Sequence, residues 1–244
     1  MILAFDTSTA LTSVALVNGD EVVAERSHLD PRHHAEVLAP MLADVLRAGS
    51  AGPGTIVAIA CGVGPGPYTG LRVGLASAIA LGLAWGRPVH GLCSLDAIAA
   101  AFVEGGEGVP FGVAGDARRR EVYWAAYSGD GQRLQGPLVS RPGDIDPGVR
   151  SGAWLGSGAR EYADWFGSVR ADERPGWGHP QASWIARRVG ALLATGVVPL
   201  IGATPLSSHG DDGSPTAAAL RGALLLPPQP LYLRRPDAVA VQPA

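Results

Sequence analysis

Asp6 and the three hydroxyl residues after it are the first side chains whose types suggest chemistry. The apolar segment 2–5 predicts a short strand, and Asp6-Thr7-Ser8-Thr9 follows its end. A carboxylate at a strand end with hydroxyls beside it could hold a magnesium-bound water or a phosphate. Asp, Ser and Thr side chains also commonly bind the amides of their own turn, and the tetrapeptide alone favours this second interpretation.

A second candidate is the glycine- and proline-rich loop 64–69, which precedes a predicted helix. Gly64 and Gly66 would let a ligand approach the backbone closely, and the free amides of a helix N-terminus attract anions. Together with Thr69 and Asp6, these glycines are candidate contacts for an anion. The loop is equally consistent with a compact connection between a strand and a helix.

The predicted helix 68–85 carries small residues at every fourth position. These residues are Gly70, Gly74, Ala78 and Gly82. Such a row allows a neighbouring helix to approach closely. Because the helix is apolar all round, it must be buried on more than one face, either by the rest of the chain or by a second protein. The sequence leaves both possibilities open.

Several reactive groups are absent from the sequence or lack a suitable neighbour. No histidines have metal-ligand spacing, and no nucleophile is paired with a base. Cys61 and Cys93 lie in apolar stretches, which favours buried, reduced thiols. All 19 basic residues are Arg, so no lysine can bind phosphate or form a Schiff base. We therefore expect no catalytic residue, no metal site and no cofactor.

The charge balance argues against tight nucleic-acid binding by this chain alone. Its 244 residues include 19 basic and 22 acidic ones, which gives a formal net charge of −3. Strong binding to a phosphate backbone needs a basic surface. The one basic run, Arg118-Arg119-Arg120, falls on a predicted turn. It is typical of a solvated loop, with a phosphate or RNA contact as the alternative.

The order of predicted elements is typical of an α/β protein built twice. A Gly-rich break at 105–108 separates two predicted subdomains, 1–106 and 107–244, and the opening pattern of strand, acidic turn and hairpin recurs after it. The first half contains predicted strands 2–5, 13–17, 21–26, 56–63 and 89–92 and helices 31–48, 68–85 and 94–102. The second half contains strands 109–114, 121–127, 134–139 and 231–233 and helices 159–166 and 183–195.

Three further features complete this prediction. Pro40 inside the predicted helix 31–48 indicates a kink or a late start of that helix. The stretch 197–229 is irregular and includes a polar loop at 207–215.

The N-terminal residues lack the basic segment of a signal peptide, and the longest apolar run is shorter than a membrane span of about 20 residues. We expect a cytoplasmic protein without a membrane segment.

Four segments, taken in order, resemble one protein family. They read ILAFDTST from residue 2, GPGPYTGLRVGLASAIALGLAWGRPVHGLCSLDAIA from residue 64, DARRREVYWAAY from residue 116 and PLYLRRPDA from residue 230. In these segments the chain is similar to the TsaB family (older name YeaZ), the accessory subunit of the bacterial tRNA threonylcarbamoyladenosine machinery. The resemblance covers residues 1 to about 130 and 230–238, and the second segment is long and specific.

The resemblance implies a duplicated actin-like and Hsp70-like fold of two ribonuclease H-like subdomains. It implies a cytoplasmic, non-catalytic subunit that forms a heterodimer with the homologous catalytic subunit TsaD, joined by the ATPase subunit TsaE. Contact with tRNA would arise only through that complex, and a homodimer is possible in the absence of the partner. TsaD-type proteins carry a metal-binding HxxxH where residues 93–98 read CSLDAI here, so the resemblance implies no metal at this position.

The resemblance also implies an interface made by the first two helices of each subunit. The expected interface residues are Val37, Leu38, Met41, Leu42, Val45, Leu71, Gly74, Leu75, Ala78 and Gly82. A large side chain in place of Gly74 or Ala78 should then abolish the heterodimer. The alternative function is a small-molecule kinase or ATPase of the actin-like class, which would use Asp6 and the loop 64–69 to bind Mg-ATP.

Overall fold

The computed structural model describes residues 1–196 and 225–233. The strands are β1 (Ile2–Asp6), β2 (Leu11–Asn18), β3 (Glu21–Leu29), β4 (Ala58–Gly62), β5 (Val89–Leu92), β6 (Phe111–Asp116), β7 (Val122–Tyr127), β8 (Arg133–Ser140), β9 (Ala153–Leu155) and β10 (Ser168–Val169). The α-helices are α1 (His34–Ala48), α2 (Tyr68–Trp85), α3 (Ser94–Glu104), α4 (Pro147–Arg150), α5 (Ser157–Glu161) and α6 (Ala182–Ala194).

The first sheet has five strands in the order β3-β2-β1-β4-β5. Strands β1, β2 and β3 are antiparallel, whereas β4 runs parallel to β1 and β5 runs parallel to β4. A hairpin turn at Asn18-Gly19 joins β2 to β3, and Gly19 has a φ of 59°, a conformation that glycine adopts without steric cost. The parallel strands are reached through helices α1 and α2, as a parallel crossover requires.

The second sheet repeats the arrangement of the first. Its order is β10-β9-β6-β7-β8. Strands β6, β7 and β8 are antiparallel, and β9 and β10 continue in parallel on the other side of β6. The internal repeat predicted from the sequence is therefore confirmed in strand order and direction. We call the first sheet with its helices the first lobe, and the second sheet with its helices the second lobe.

Alternate residues of the central strands face different helices. In β1, Leu3 and Phe5 enter the core that contains the buried side chains of α1 and α2, whereas Ala4 enters the core beneath α6. Ala15 of β2 and Ala60 of β4 lie beneath α6 as well. Small side chains on this face let α6 lie close to the sheet. Because both faces are covered, the central strands are apolar throughout rather than alternating.

Helix α6 packs on the first lobe, although it follows the second sheet in the chain. Its side chains Ile185 and Val189 lie in the core shared with β1, β2 and β4. The backbone of Leu226 pairs with Gly91 of β5, and the amide of Leu231 donates to the carbonyl of Val63 over 2.8 Å. Part of the predicted subdomain 107–244 thus lies against the first sheet. The predicted boundary at residues 106 and 107 stays a prediction.

Helix α3 lies between the two sheets and joins them into one core. Its apolar side chains, including Ile98 and Phe102, share a core with Phe111 of β6 and Tyr127 of β7. The rings of Phe102 and Phe111 are 4.5 Å apart, and those of Phe111 and Tyr127 are 5.2 Å apart. Aromatic pairs at such separations add dispersion energy to the burial of apolar area.

A buried ion pair also crosses between the lobes. Asp96 of α3 and Arg133 of β8 are 5% and 6% exposed. The Nε atom of Arg133 donates to Oδ1 of Asp96 over 3.0 Å, and a second guanidinium nitrogen donates to Oδ2. The hydroxyl of Tyr127 donates to the same Oδ1 atom over 2.7 Å. All three groups are desolvated, so the loss of Asp96 leaves the Arg133 guanidinium buried without a counterion.

Several sequence predictions differ from the structure in the second half. The predicted helix 159–166 is wrong in extent, since α5 ends at Glu161 and a 3-10 turn, Ala163–Trp165, follows. The predicted strand 231–233 is wrong, since this segment has no strand. The pattern does not predict β9 or β10, because strands of three and two residues are too short for a recognisable period. The predicted loop 207–215 lies outside the described residues. Helix α1 begins at His34, three residues later than predicted, but it still contains Pro40, so the predicted effect of this proline stays a prediction.

Replacement of Asp96 by Ala should lower the free energy of unfolding by about 3–5 kcal/mol, because it leaves the Arg133 charge buried without a counterion. Chemical denaturation measures the change. The control is Asp44→Ala, which removes a surface partner of Arg47 and should cost about 1 kcal/mol or less. Equal losses in the two variants would contradict a special role for the buried pair.

Candidate functional site

The carboxylate of Asp6 lies at the end of β1 and is 1% exposed. Its Oδ1 atom accepts hydrogen bonds from the amide and the hydroxyl of Ser8, each over 2.7 Å. Its Oδ2 atom accepts a 2.6 Å hydrogen bond from the hydroxyl of Ser94, the first residue of α3. The Ser94 hydroxyl in turn accepts from the amide of Gly64 over 3.1 Å. The turn interpretation of Asp6 is thereby confirmed, and Ser94 is a member of this cluster that sequence reasoning missed.

The loop 64–69 packs directly on the turn that follows β1. A Cβ atom at Gly66 would lie 2.0 Å from the carbonyl oxygen of Ser8. The hydroxyl of Thr7 donates to the carbonyl of Gly70 over 2.7 Å. Glycine is needed at position 66 because two backbone segments touch there. The structure therefore brings Asp6, Gly64 and Gly66 together by packing against the chain itself, whereas Thr69 is exposed at the start of α2.

Burial raises the pKa of Asp6 above its ordinary value of 3.8, although the hydrogen bonds from Ser94 and Ser8 act in the opposite direction. Both carboxylate oxygens already accept hydrogen bonds from within the chain. A carboxylate that ligates a cation must present ionised oxygen atoms to it. The geometry of Asp6 is thus that of a structural group, which does not favour the Mg-ATP alternative.

Within residues 1–196 and 225–233, no three His, Cys, Asp or Glu side chains form a group that could hold a metal ion. Cys61 and Cys93 are buried free thiols, as predicted, and burial raises the pKa of each to about 12. At the position where the resemblance places HxxxH in TsaD-type proteins, this chain has Ser94 and Asp96. Those two side chains are engaged with Asp6 and Arg133, respectively.

A cleft of about 520 Å³ lies between the lobes, beside the turns that follow β1 and β6. Two arginines line its second-lobe wall, and both are paired within the chain. Arg118 lies 3.3 Å from Asp116, and Arg160 lies 2.8 Å from Asp172. On the first-lobe side, the Nδ1 atom of His179 is hydrogen-bonded to the hydroxyl of Thr9. Burial lowers the pKa of His179 to about 4. The charged groups of the cleft are thus largely neutralised by the chain itself.

The row of small residues on α2 faces the interior of this chain. Gly70, Gly74, Ala78 and Gly82 are all buried. A Cβ atom at Gly74 would lie 2.4 Å from the Thr7 hydroxyl, and one at Gly82 would lie 2.3 Å from the side chain of Val89. The row therefore lets α2 approach its own sheet, whereas the sequence pattern indicated a second helix.

Most of the expected interface residues are buried in this packing, and their role in an interface stays a prediction. The residues of the expected set that are buried within the chain are Leu38, Leu42, Val45, Leu71, Gly74, Leu75, Ala78 and Gly82. Val37 and Met41 of α1 are partly exposed. A large side chain in place of Gly74 would displace α2 from its sheet, so this variant would report on folding and not on an interface.

The outward face of α2 is apolar and lies beside the row of small residues that the sequence indicated as an interface. Ile79 is 41% exposed and Leu83 is 80% exposed. Ala76, Ala80 and Ala84 are exposed between and beside them. By length and composition alone, α2 is long and apolar enough to cross a membrane. Core helices of soluble proteins share both properties. Apolar surface of this kind commonly marks a contact with another molecule.

Comparison with known proteins identifies relatives of the chain. Residues 22–151 match the family model of TsaD, tRNA N6-adenosine threonylcarbamoyltransferase. An uncharacterized protein of Mycobacterium leprae is 43% identical over 68% of this chain and 45% of its own length. The tRNA threonylcarbamoyladenosine biosynthesis protein TsaB of Escherichia coli is 39% identical over 53% of this chain and 55% of its own length. The chain thus spans about half the length of these two relatives.

A solved structure agrees with these relatives over a larger share of the chain. YeaZ from Pseudomonas aeruginosa has a TM-score of 0.70 and 28% sequence identity, covering 80% of this chain and 92% of its own. The two repeated sheets on either side of a cleft define a protein of the actin-like class of duplicated α/β folds, as predicted. The chain belongs to the TsaB/YeaZ family.

Replacement of Gly66 by Ala should lower the free energy of unfolding by about 1–3 kcal/mol, because the new methyl group forces the loop away from Ser8. Gly52→Ala is the matched control, since a Cβ atom there meets nothing within 4 Å and should leave stability unchanged or raise it by up to about 1 kcal/mol. Thermal or chemical unfolding distinguishes the two. A harmless Gly66→Ala variant would show that the loop does not depend on this contact.

The raised pKa of Asp6 predicts a pH dependence of stability. A carboxyl group that holds its proton more tightly in the folded state contributes stability below its unfolded value of 3.8. That contribution is lost as the pH rises through the raised folded value. The stability of Asp6→Asn relative to the wild type should therefore increase from about pH 4 towards neutrality. Denaturant unfolding across this range measures the difference, and a difference that is constant with pH would refute the assignment.

Proposed function

We propose that this chain is a non-catalytic subunit of the tRNA threonylcarbamoyladenosine machinery and that it pairs with the homologous catalytic subunit TsaD. The observation that carries this proposal is the exposed apolar face of α2. Leu83 alone is 80% exposed, and full burial of such a side chain contributes about 1.5–3 kcal/mol. The partly exposed residues Val37 and Met41 of α1 supply additional apolar surface on the other expected helix.

The contacts in the interior of the molecule favour a structural role in the complex over a catalytic one. Asp6 is hydrogen-bonded to Ser8 and Ser94. At the metal-binding position of TsaD-type proteins, this chain has Ser94 and Asp96, which bind Asp6 and Arg133. A subunit of this kind contributes a shaped surface, while the reacting groups reside on its partner. In the full assembly the ATPase subunit TsaE joins the pair. This assembly binds the tRNA in the cytoplasm.

The double variant Ile79→Arg and Leu83→Arg should abolish the heterodimer, because two charges would be buried without partners in the joint interface. Purified chain and TsaD are mixed and separated by size-exclusion chromatography with light scattering. The wild type should co-elute with TsaD, and the same experiment on the chain alone reports any homodimer. Both substituted positions are exposed, so the fold of the variant should remain intact.

The matched control is Leu134→Arg with Leu138→Arg on β8, where the side chains are 53% and 42% exposed. This variant introduces the same charge on a different surface and should still co-elute with TsaD. If Ile79→Arg with Leu83→Arg binds TsaD as well as the wild type does, the α2 face is not the interface. If the wild-type chain itself does not bind TsaD, the proposed function is wrong.

A further inference from the structure

The second lobe carries a groove of about 580 Å³ in which basic and aromatic side chains meet. Arg120, Arg141, Tyr162 and Trp165 line it together with Asp144. We call this surface the arginine–tryptophan groove. It is separate from the outward face of α2, which belongs to the first lobe, and none of its residues enters the proposed contact with TsaD.

The indole ring of Trp165 is held in place, although it is 51% exposed. A Cβ atom at Gly143 would lie 2.9 Å from its Cζ3 atom, so the ring lies directly against the backbone there. The Arg150 guanidinium lies 5.6 Å from the ring centroid. Arg150 is itself fixed, since it donates to the carbonyl oxygens of Ile145 over 2.8 Å and Trp165 over 3.3 Å. The groove therefore contains a positioned aromatic surface that remains open to solvent.

The arginines of the groove are also placed by the backbone. Arg118, Arg119 and Arg120 have φ values of 60°, 56° and 63°, a left-handed run that costs energy for residues other than glycine. Arg118 pairs with Asp116 beside the interlobe cleft, whereas Arg120 lines the groove. Arg141, which follows β8, provides a second cation, and the Asp144 carboxylate offsets one of these charges. The lining is thus modestly basic in a chain whose formal net charge is −3.

We propose that the arginine–tryptophan groove binds an unpaired segment of RNA, with a base stacked on Trp165 and the flanking phosphates held by Arg120 and Arg141. Unpaired bases stack on aromatic rings and on arginine planes, and their phosphates bind cations. The small net charge predicts weak binding by the chain alone. Since the inference rests on the proposed function, the groove would act on RNA that the complex with TsaD has already bound.

The test measures fluorescence anisotropy of a labelled, unmodified tRNA transcript and of its anticodon stem-loop, with the chain alone and with its complex with TsaD. The variant Arg120→Ala with Arg141→Ala should weaken binding about tenfold at low salt and reduce the slope of log affinity against log salt by about 1.5. Trp165→Ala should weaken binding about tenfold, whereas Trp165→Phe should retain most of it, because a smaller aromatic ring still stacks.

The matched control is Arg26→Ala with Arg32→Ala, which removes the same charge from exposed positions of the first lobe. This control should weaken RNA binding less than Arg120→Ala with Arg141→Ala does. Each variant is also tested for co-elution with TsaD and for its unfolding transition. Loss of RNA binding with TsaD binding unchanged supports the groove. Equal RNA binding by all variants, or equal losses in the control, overturns the groove while the proposed function stands.

Two other outcomes separate the two proposals. If the groove variants lose TsaD or TsaE and bind RNA as before, the groove is a protein contact and the RNA inference is wrong. If the wild-type chain fails to bind TsaD, the proposed function fails, and the anisotropy of the chain alone still decides whether the groove binds RNA. No measurable RNA binding by the wild-type chain or its complex also overturns the inference.

Discussion

Two side chains in the first turn of α3 bind opposite lobes of the molecule. Ser94 donates to the Asp6 carboxylate at the end of β1, and Asp96 accepts from Arg133 and Tyr127 in the second sheet. Buried carboxylates cost several kcal/mol in lost hydration, which only close partners offset. The relative position of the lobes is thus held by interactions that weaken sharply if either lobe moves. The shared aromatic core around Phe102 acts in the same direction.

The packing of α2 follows from the same need for close contact. The turn after β1 and the loop 64–69 touch through backbone atoms, with Gly66 against the Ser8 carbonyl. Helix α2 begins within this segment, at Tyr68, and continues along the sheet with its small residues inward. Larger side chains are therefore left on the outward face, where Ile79 and Leu83 are exposed. Close approach inside the chain and an apolar surface outside it are two results of one helix orientation.

The sequence predicts most of the first lobe because its signals are local. The Asn18-Gly19 turn, the apolar strands and the glycine after α2 each act on neighbouring residues. The residues of α2 show why the candidate interface could not be predicted in the same way. Small residues at helical spacing indicate that something approaches closely, but Gly74 meets Thr7 of the same chain, and only the tertiary structure shows this. Short strands such as β9 draw their stability from β6 beside them, and α6 packs on a sheet that is distant in sequence.

A fixed arrangement of lobes has a consequence for the two surfaces to which we assign binding. Enzymes with two lobes commonly close around a ligand, and hinge motion is then part of their mechanism. Here the ion pair of Asp96 and Arg133 and the core around α3 join the lobes and oppose such motion. The outward face of α2 and the arginine–tryptophan groove therefore lie on lobes that a buried ion pair and a shared core join. In the complex that we propose, a partner on the first lobe and RNA on the second lobe would therefore be held in one defined geometry.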